Sequence, residues 1–276
     1  MSLSSVYLLV SHGSRDPRPQ QAMNELAKLV HNQLKTGNWG LETSKINTHK
    51  STLIIPNAPS PKSTGSTIAL SRAEYPLVGT ATLELGYAPL HEQIRQFASV
   101  ALASNCNNLQ VLPLFLLPGV HVREDIPNEV ALAKASLGDA IAIVQQPYIG
   151  THPNLLGLLT SQWATVDAQA KILLSHGTRR AGGNQPVEAI AKQLQAVTAY
   201  WSVQPSLEEQ IQGLASAGHK TIAILPYFLF PGGITDAIAQ RVSELQVEFP
   251  QLHLKVGEPI GASPQLAKLI IDLLDC

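Results

Sequence analysis

The feature that most constrains this chain is that it repeats itself. Val6-Tyr7-Leu8-Leu9-Val10-Ser11-His12-Gly13-Ser14-Arg15 returns as Ile172-Leu173-Leu174-Ser175-His176-Gly177-Thr178-Arg179. Val111-Leu112-Pro113-Leu114-Phe115-Leu116-Leu117-Pro118-Gly119 returns as Ile224-Leu225-Pro226-Tyr227-Phe228-Leu229-Phe230-Pro231-Gly232. The two blocks keep their order. The period far exceeds the roughly 20–50 residues of solenoid units, so it means two similar domains and not an array. The boundary falls near Asp167 to Ala170, giving domains over residues 1–168 and 169–276.

Within each half, short apolar runs alternate with segments of helical spacing. Val6–Val10 predicts a strand that ends in a Ser-His-Gly turn, and Pro19–Lys35 a helix with Met23, Leu26, Leu29 and Val30 on one face. Strands are predicted over 78–85, 110–116 and 140–144, and helices over 90–103, 124–135 and 154–163. The second half repeats the pattern in fewer residues. Strands alternating with helices of this length imply an α/β fold of two tandem similar domains, each a parallel sheet flanked by helices. The extra length of the first half, residues 36–77, is rich in Asn, Ser, Thr, Pro and Gly and reads as an inserted irregular loop, either a lid or an insertion without a role.

Composition narrows the function. Hydrophobic residues make up 45% of the 276 and the net charge is −1. That is enough apolar material for two cores. With no long basic run, nucleic acid is not an expected partner. No apolar stretch approaches the ~20 residues of a membrane-spanning helix. The N-terminal Met1–Val10 carries no Lys or Arg and reads as a strand, not a signal peptide. Cys106 and Cys276 form no CxxC pair, so neither a disulfide framework nor a thiolate metal site is expected, and the setting reads as cytoplasmic.

Ligands of open parallel sheets bind beyond the C-terminal strand ends. His12 follows the first strand there; alone, an SHG segment more often supplies a turn histidine bonded to backbone. His121 lies past the third strand, before Pro127 in the first turn of a helix, where the missing N–H costs nothing. Asp125 reads as that helix's cap. Glu84 ends the second strand, where a carboxylate can face the crevice instead of being buried at cost. Two imidazoles and a carboxylate at three parallel strand ends make an open site for a borderline metal ion. His152 also follows a strand and is a candidate substrate contact. His91 begins a helix and reads as exposed; His31 and His49 read as surface residues.

His12-Gly13-Ser14-Arg15-Asp16-Pro17, then Leu83-Glu84-Leu85, then Pro118-Gly119-Val120-His121-Val122-Arg123-Glu124-Asp125-Ile126-Pro127 together resemble the sirohydrochlorin chelatases, in their long form of two fused repeats. The resemblance covers both halves in order. It implies a chelatase-like, flavodoxin-like topology with two domains facing across a cleft, and ATP-independent insertion of Co²⁺ or Fe²⁺ into sirohydrochlorin for sirohaem or cobalamin synthesis. It implies that His12 and His121 handle the metal with Glu84 as accompanying acid. No cofactor is permanently bound; the metal is a substrate. The long insertion and the Gly86-Tyr87-Ala88-Pro89 stretch depart from the usual family pattern, and the insertion leaves the cleft's shape open. The carboxylate-rich tetrapyrrole calls for cations around the cleft, and Arg15, Arg123 and Arg179 are the candidates, each otherwise a solvated surface charge.

Three rivals are weighed. A histidine phosphatase needs an Arg directly before the histidine, where this chain has Ser11 and Ser175. A serine hydrolase would need Ser11 and His12 to meet, but neighbours on a strand point to opposite faces. A non-catalytic metal or tetrapyrrole carrier stays open. The metal site is expected in the first half only. Counting from the proline-rich blocks puts Ile234 opposite His121, and matching Glu92-Gln93-Ile94 to Glu209-Gln210-Ile211 puts Trp201 opposite Glu84. Only His176 is retained, either touching substrate or capping its turn. Trp201 reads as a core residue or as a stacking surface for the macrocycle.

Overall fold

The computed structural model describes residues 5–36, 77–164 and 166–274. The segment read as an insertion therefore lies almost wholly outside the described residues, as do His49 and Cys276. The first half runs β1 (Ser5–Ser11), α1 (Pro17–Thr36), β2 (Val78–Thr82), α2 (Leu90–Ala103), β3 (Asn108–Pro113), a π turn (His121–Asp125), α3 (Ile126–Leu137), β4 (Ala142–Gln145) and α4 (Leu155–Ala164). The second runs β5 (Ala170–Ser175), α5 (Gln185–Gln193), β6 (Val197–Tyr200), α6 (Leu207–Ser216), β7 (Thr221–Pro226), α7 (Gly233–Glu248), β8 (His253–Val256) and α8 (Pro264–Leu274). Each half forms a four-stranded sheet, in the orders β2-β1-β3-β4 and β6-β5-β7-β8, with every pair parallel. That is the flavodoxin order without its fifth strand.

Both faces of both sheets are covered, which is why the strands read as nearly continuous apolar runs. In β1, Val6, Leu8 and Val10 pack with Leu90, Ile94 and Phe97 of α2 and Ile126 and Val130 of α3. The second sheet is covered likewise by α6 and α7, through Leu207, Ile211, Ile238 and Val242. The opposite faces share one core. Leu9, Met23, Leu26 and Leu112 of the first half join Leu173, Val187 and Leu225 of the second, together with Leu159, Trp163, Leu266 and Ile270 of α4 and α8. The closing helix of the second half crosses over: α8 packs against α1 and β3. Trp163 of α4 in turn lines a pocket with Ala223 and Leu225 of β7. Separating the halves would expose all of this apolar surface to water.

Several elements differ from their sequence reading. The second and third strands end at Thr82 and Pro113, short of 85 and 116. After β3 the apolar run outlasts the strand because the following loop is itself packed, with Leu114 3% exposed; after β2 the chain turns out to solvent, and Leu85 is 60% exposed. The helix expected from 124 begins earlier, as a π turn at His121. His31 is buried on the inner face of α1 and is not a surface residue. Among the described residues, no helix is long and apolar enough to cross a membrane. Cys106 is a free, buried thiol.

Candidate metal centre

His12 leaves β1 at its C-terminal end, and the ladder to the next strand continues for two rungs past β2. Leu83 N–H donates to Ser11 O at 2.9 Å and Glu84 N–H to His12 O at 2.8 Å. Gly13 makes this approach possible. It has φ +101°, and a Cβ there would lie 1.9 Å from the Glu84 carbonyl oxygen. A glycine tolerates both the backbone and the contact; no other residue does. Leu85 then turns the chain away with φ 55°. The result sets His12 Nδ1 3.8 Å from Glu84 Oε2, with both side chains about half exposed.

His121 arrives from the third strand end. Its ring meets that of His12 edge to face, with centroids 4.8 Å apart. Phe115 lies 6.3 Å from the first ring and 6.1 Å from the second, so both imidazoles stand against an aromatic surface. One ligand atom each from His12, Glu84 and His121 lie within 4.8 Å of one another. Two imidazoles and a carboxylate, open to solvent on one side, suit a borderline divalent ion that must be both taken up and released.

Asp125 does not cap α3, as its side chain makes no capping bond. Its Oδ2 lies 2.7 Å from His121 Nδ1. The spacing of four along a helical turn was visible in the sequence and places two side chains on one face.

Arg18 is a further residue that the sequence reading passed over. It bonds Asp16 in its own loop and makes a two-point pair with Asp236 at the start of α7, at 2.9 and 2.5 Å. The first turn of α1 thus meets the first turn of α7, at the C-terminal end of each sheet. The guanidinium holds both carboxyls below their ordinary value. Arg15, Arg123 and Arg179 are exposed and form no ion pair among the described residues.

The remaining histidines divide. His152 is 6% exposed. Its Nδ1 accepts the Asn154 N–H at 3.0 Å and its Nε2 lies 3.8 Å from Asp272 of α8. It is buried beside α8, with little surface to offer a substrate. His91 is part-buried and tied to Glu129 at 2.8 Å, joining α2 to α3. His176 is exposed, and its Nδ1 donates to Gly177 O at 3.1 Å.

Around His176 the second half rebuilds the same backbone without the ligands. Trp201 N–H bonds Ser175 O and Ser202 N–H bonds His176 O, the counterparts of the rungs at Leu83 and Glu84. Ser202 therefore stands opposite Glu84, and the assignment of Trp201 to that place is corrected by one residue. The loop from β6 to Glu209 is one residue shorter than that from β2 to Glu92, which displaced the alignment. Trp201 is 38% exposed and is not a core residue. Ile234 does occupy the place of His121: the Asp236 N–H to Gly232 O bond repeats that of Arg123 to Gly119.

A doubled parallel α/β protein, with two histidines and a glutamate converging at the strand ends of one half only, is the class that fold and site define. A sequence profile of the CbiX family matches residues 60–166 and again 170–275, so the chain belongs to that family. The sirohydrochlorin cobaltochelatase of Priestia megaterium is 23% identical over 193 residues, covering 64% of this chain and 63% of that protein's length. The sirohydrochlorin ferrochelatase of Bacillus subtilis strain 168 is 23% identical over 202 residues, 68% of this chain and 76% of its own. The structure of SirB from Bacillus subtilis with Fe³⁺ superposes with a TM-score of 0.68 at 19% identity, over 99% of this chain and 95% of that one. SirB from the subspecies spizizenii in complex with cobalt gives 0.66 at 18% identity, over 99% and 94%.

Proposed function

We propose that the protein is a sirohydrochlorin chelatase that inserts Co²⁺ or Fe²⁺ into a carboxylate-rich tetrapyrrole. The observation that carries this reading is the convergence of His12, Glu84 and His121 at the C-terminal ends of three parallel strands. Membership of a family whose curated relatives are named sirohydrochlorin cobaltochelatase and ferrochelatase supports it.

Insertion exchanges one divalent cation for two pyrrole protons, so the site must hold an ion and accept protons. An imidazole does either, since it titrates near neutral pH and binds metal in its neutral form. His12, His121 and Glu84 hold the incoming ion as substrate, and a group freed from it accepts a proton from the ring. Glu84, beside His12, stabilises the imidazolium that proton transfer leaves. The half-exposed site lets the ion arrive hydrated and shed its water into solvent. Arg15, Arg123 and Arg179, all exposed, are assigned to the substrate's carboxylates, with His176 contacting it from the second half. The protein carries no resident cofactor, works in the cytoplasm, and has both cleft walls in one chain.

The test is a visible-absorption time course with free sirohydrochlorin and either Co²⁺ or Fe²⁺. Conversion of many equivalents of tetrapyrrole per chain is expected. A change that stops at one equivalent would mark a carrier.

A further inference from the structure

The first half carries one residue more than the second at the point where His121 enters the site. Five residues beyond His121 lies Ile126, fully buried against β1; four beyond Ile234 lies Ile238, fully buried in the same role on the second sheet. The bonds from Arg123 to Gly119 and from Asp236 to Gly232 fix the match at the start of these turns. The extra residue is taken up between them, where the chain forms a π turn over His121–Asp125. Such single widened turns occur often at functional sites, because they re-aim side chains without unravelling the helix.

Here the widened turn places a carboxylate on an imidazole. Asp125 Oδ2 stands 2.7 Å from His121 Nδ1, a charge-assisted hydrogen-bond length. In the second half the corresponding positions are Ile234 and Ala237, so ring and carboxylate are lost together. Asp125 makes no capping bond to α3, whereas α7 is capped by Thr235, so the Asp125 carboxylate serves the imidazole and not the helix start.

We infer that Asp125 is the positioning residue of the metal site. An ionised carboxylate only accepts, so Nδ1 of His121 carries the proton and Nε2 is the nitrogen left with a lone pair for an ion. The bond also fixes the ring's rotation, the role of a carboxylate behind a ligating histidine. His12 has no such support: Glu84 Oε2 lies 3.8 Å from its Nδ1, beyond hydrogen-bond distance. The two histidines are thus unequal: His121 is hydrogen-bonded to a carboxylate and His12 is not.

This inference rests on reading the three residues as a metal site, and the experiment separates the two. Co²⁺ alone is titrated into wild type, His121→Ala, Asp125→Ala and Asp125→Asn, and the metal-free proteins are examined by long-range ¹H–¹⁵N correlation for the His121 tautomer. Wild type is expected to show the Nδ1–H form. Asp125→Ala is expected to lose it and to bind Co²⁺ about 10–100-fold more weakly. Asp125→Asn, which keeps an acceptor oxygen, is expected to retain the tautomer and recover most of the affinity. Asp125→Ala with wild-type affinity and tautomer would overturn the inference. If that variant fails to fold, a shift of Asp125→Asn to the Nε2–H form would overturn it equally. Wild-type affinity in His121→Ala would instead overturn the metal-site reading, with the tautomer result standing by itself.

Discussion

Glu84 and Ser202 occupy the same rung of two matching ladders, each donating its N–H to the carbonyl of the histidine that ends the central strand's run, His12 in one half and His176 in the other. The same backbone is thus built twice, and among the described residues the His-Glu-His set occurs in the first half alone. A lone imidazole is a poor site for a divalent ion, which normally takes three or more protein ligands. Titration with Co²⁺ is therefore expected to saturate at one equivalent per chain. His176→Ala is expected to slow insertion less than His12→Ala does and to leave Co²⁺ binding unchanged. Two equivalents of similar affinity would contradict a one-sided site.

Gly13→Ala tests how Glu84 is brought to His12. The new Cβ would meet the Glu84 carbonyl oxygen on a backbone that L-residues avoid. The expected outcome is a loss of about 1–3 kcal/mol in stability and weaker Co²⁺ binding, because the loop after β2 must move. Gly119, whose Cβ would find nothing within 4 Å, is the control. Its replacement by Ala is expected to change neither denaturant midpoint nor affinity.

The Arg18–Asp236 pair joins the two halves and gives a signature in acid. Both Asp16 and Asp236 are held below the ordinary carboxylate value by bonds to Arg18. A carboxylate with a depressed folded pKa adds stability above its unfolded value of about 3.9. That stability disappears as pH falls through the lower folded value. Thermal midpoints measured from pH 5 to pH 2 should drop more steeply for wild type than for Asp236→Asn. Raising the salt concentration should narrow the difference, since the pair is exposed.

His152 behaves in the opposite sense to a group gaining a charged partner. Burial pushes its pKa below the ordinary histidine value, and the Asp272 carboxylate only partly opposes this. The folded state therefore favours the neutral ring. Above about 6.5 the ring is neutral in both states and its full contribution is present. As pH falls below that, the unfolded chain binds the proton first and stability declines until the folded value is reached. His152→Asn, which keeps an acceptor for the Asn154 N–H, should flatten the pH dependence in this window while leaving metal insertion intact. A large loss of turnover without a change in the stability profile would favour the substrate-contact reading.

The architecture was legible because the repeat and the apolar runs express the same buried parallel strands twice. The three convergent residues were legible because a parallel sheet opens all its C-terminal ends on one side, so His12, Glu84 and His121 needed no distance information to be grouped. What sequence could not carry was local length. One residue fewer between β6 and α6 moved Glu84's counterpart from Ser202 to Trp201, and one residue more before α3 made the π turn that sets Asp125 on His121. His31 misled because a polar ring on the apolar face of α1 reads as surface until the tertiary fold is seen to bury it.

The central claim is that His12 and His121 carry the metal into the tetrapyrrole, and the direct measurement is the insertion rate of His12→Ala and His121→Ala with sirohydrochlorin and Co²⁺. Both side chains sit at strand ends outside the cores, so both variants should unfold at temperatures close to wild type. Each is predicted to insert metal at least ~10²-fold more slowly, the scale of losing a positioned acid–base group. Near-normal turnover in either folded variant would contradict the account.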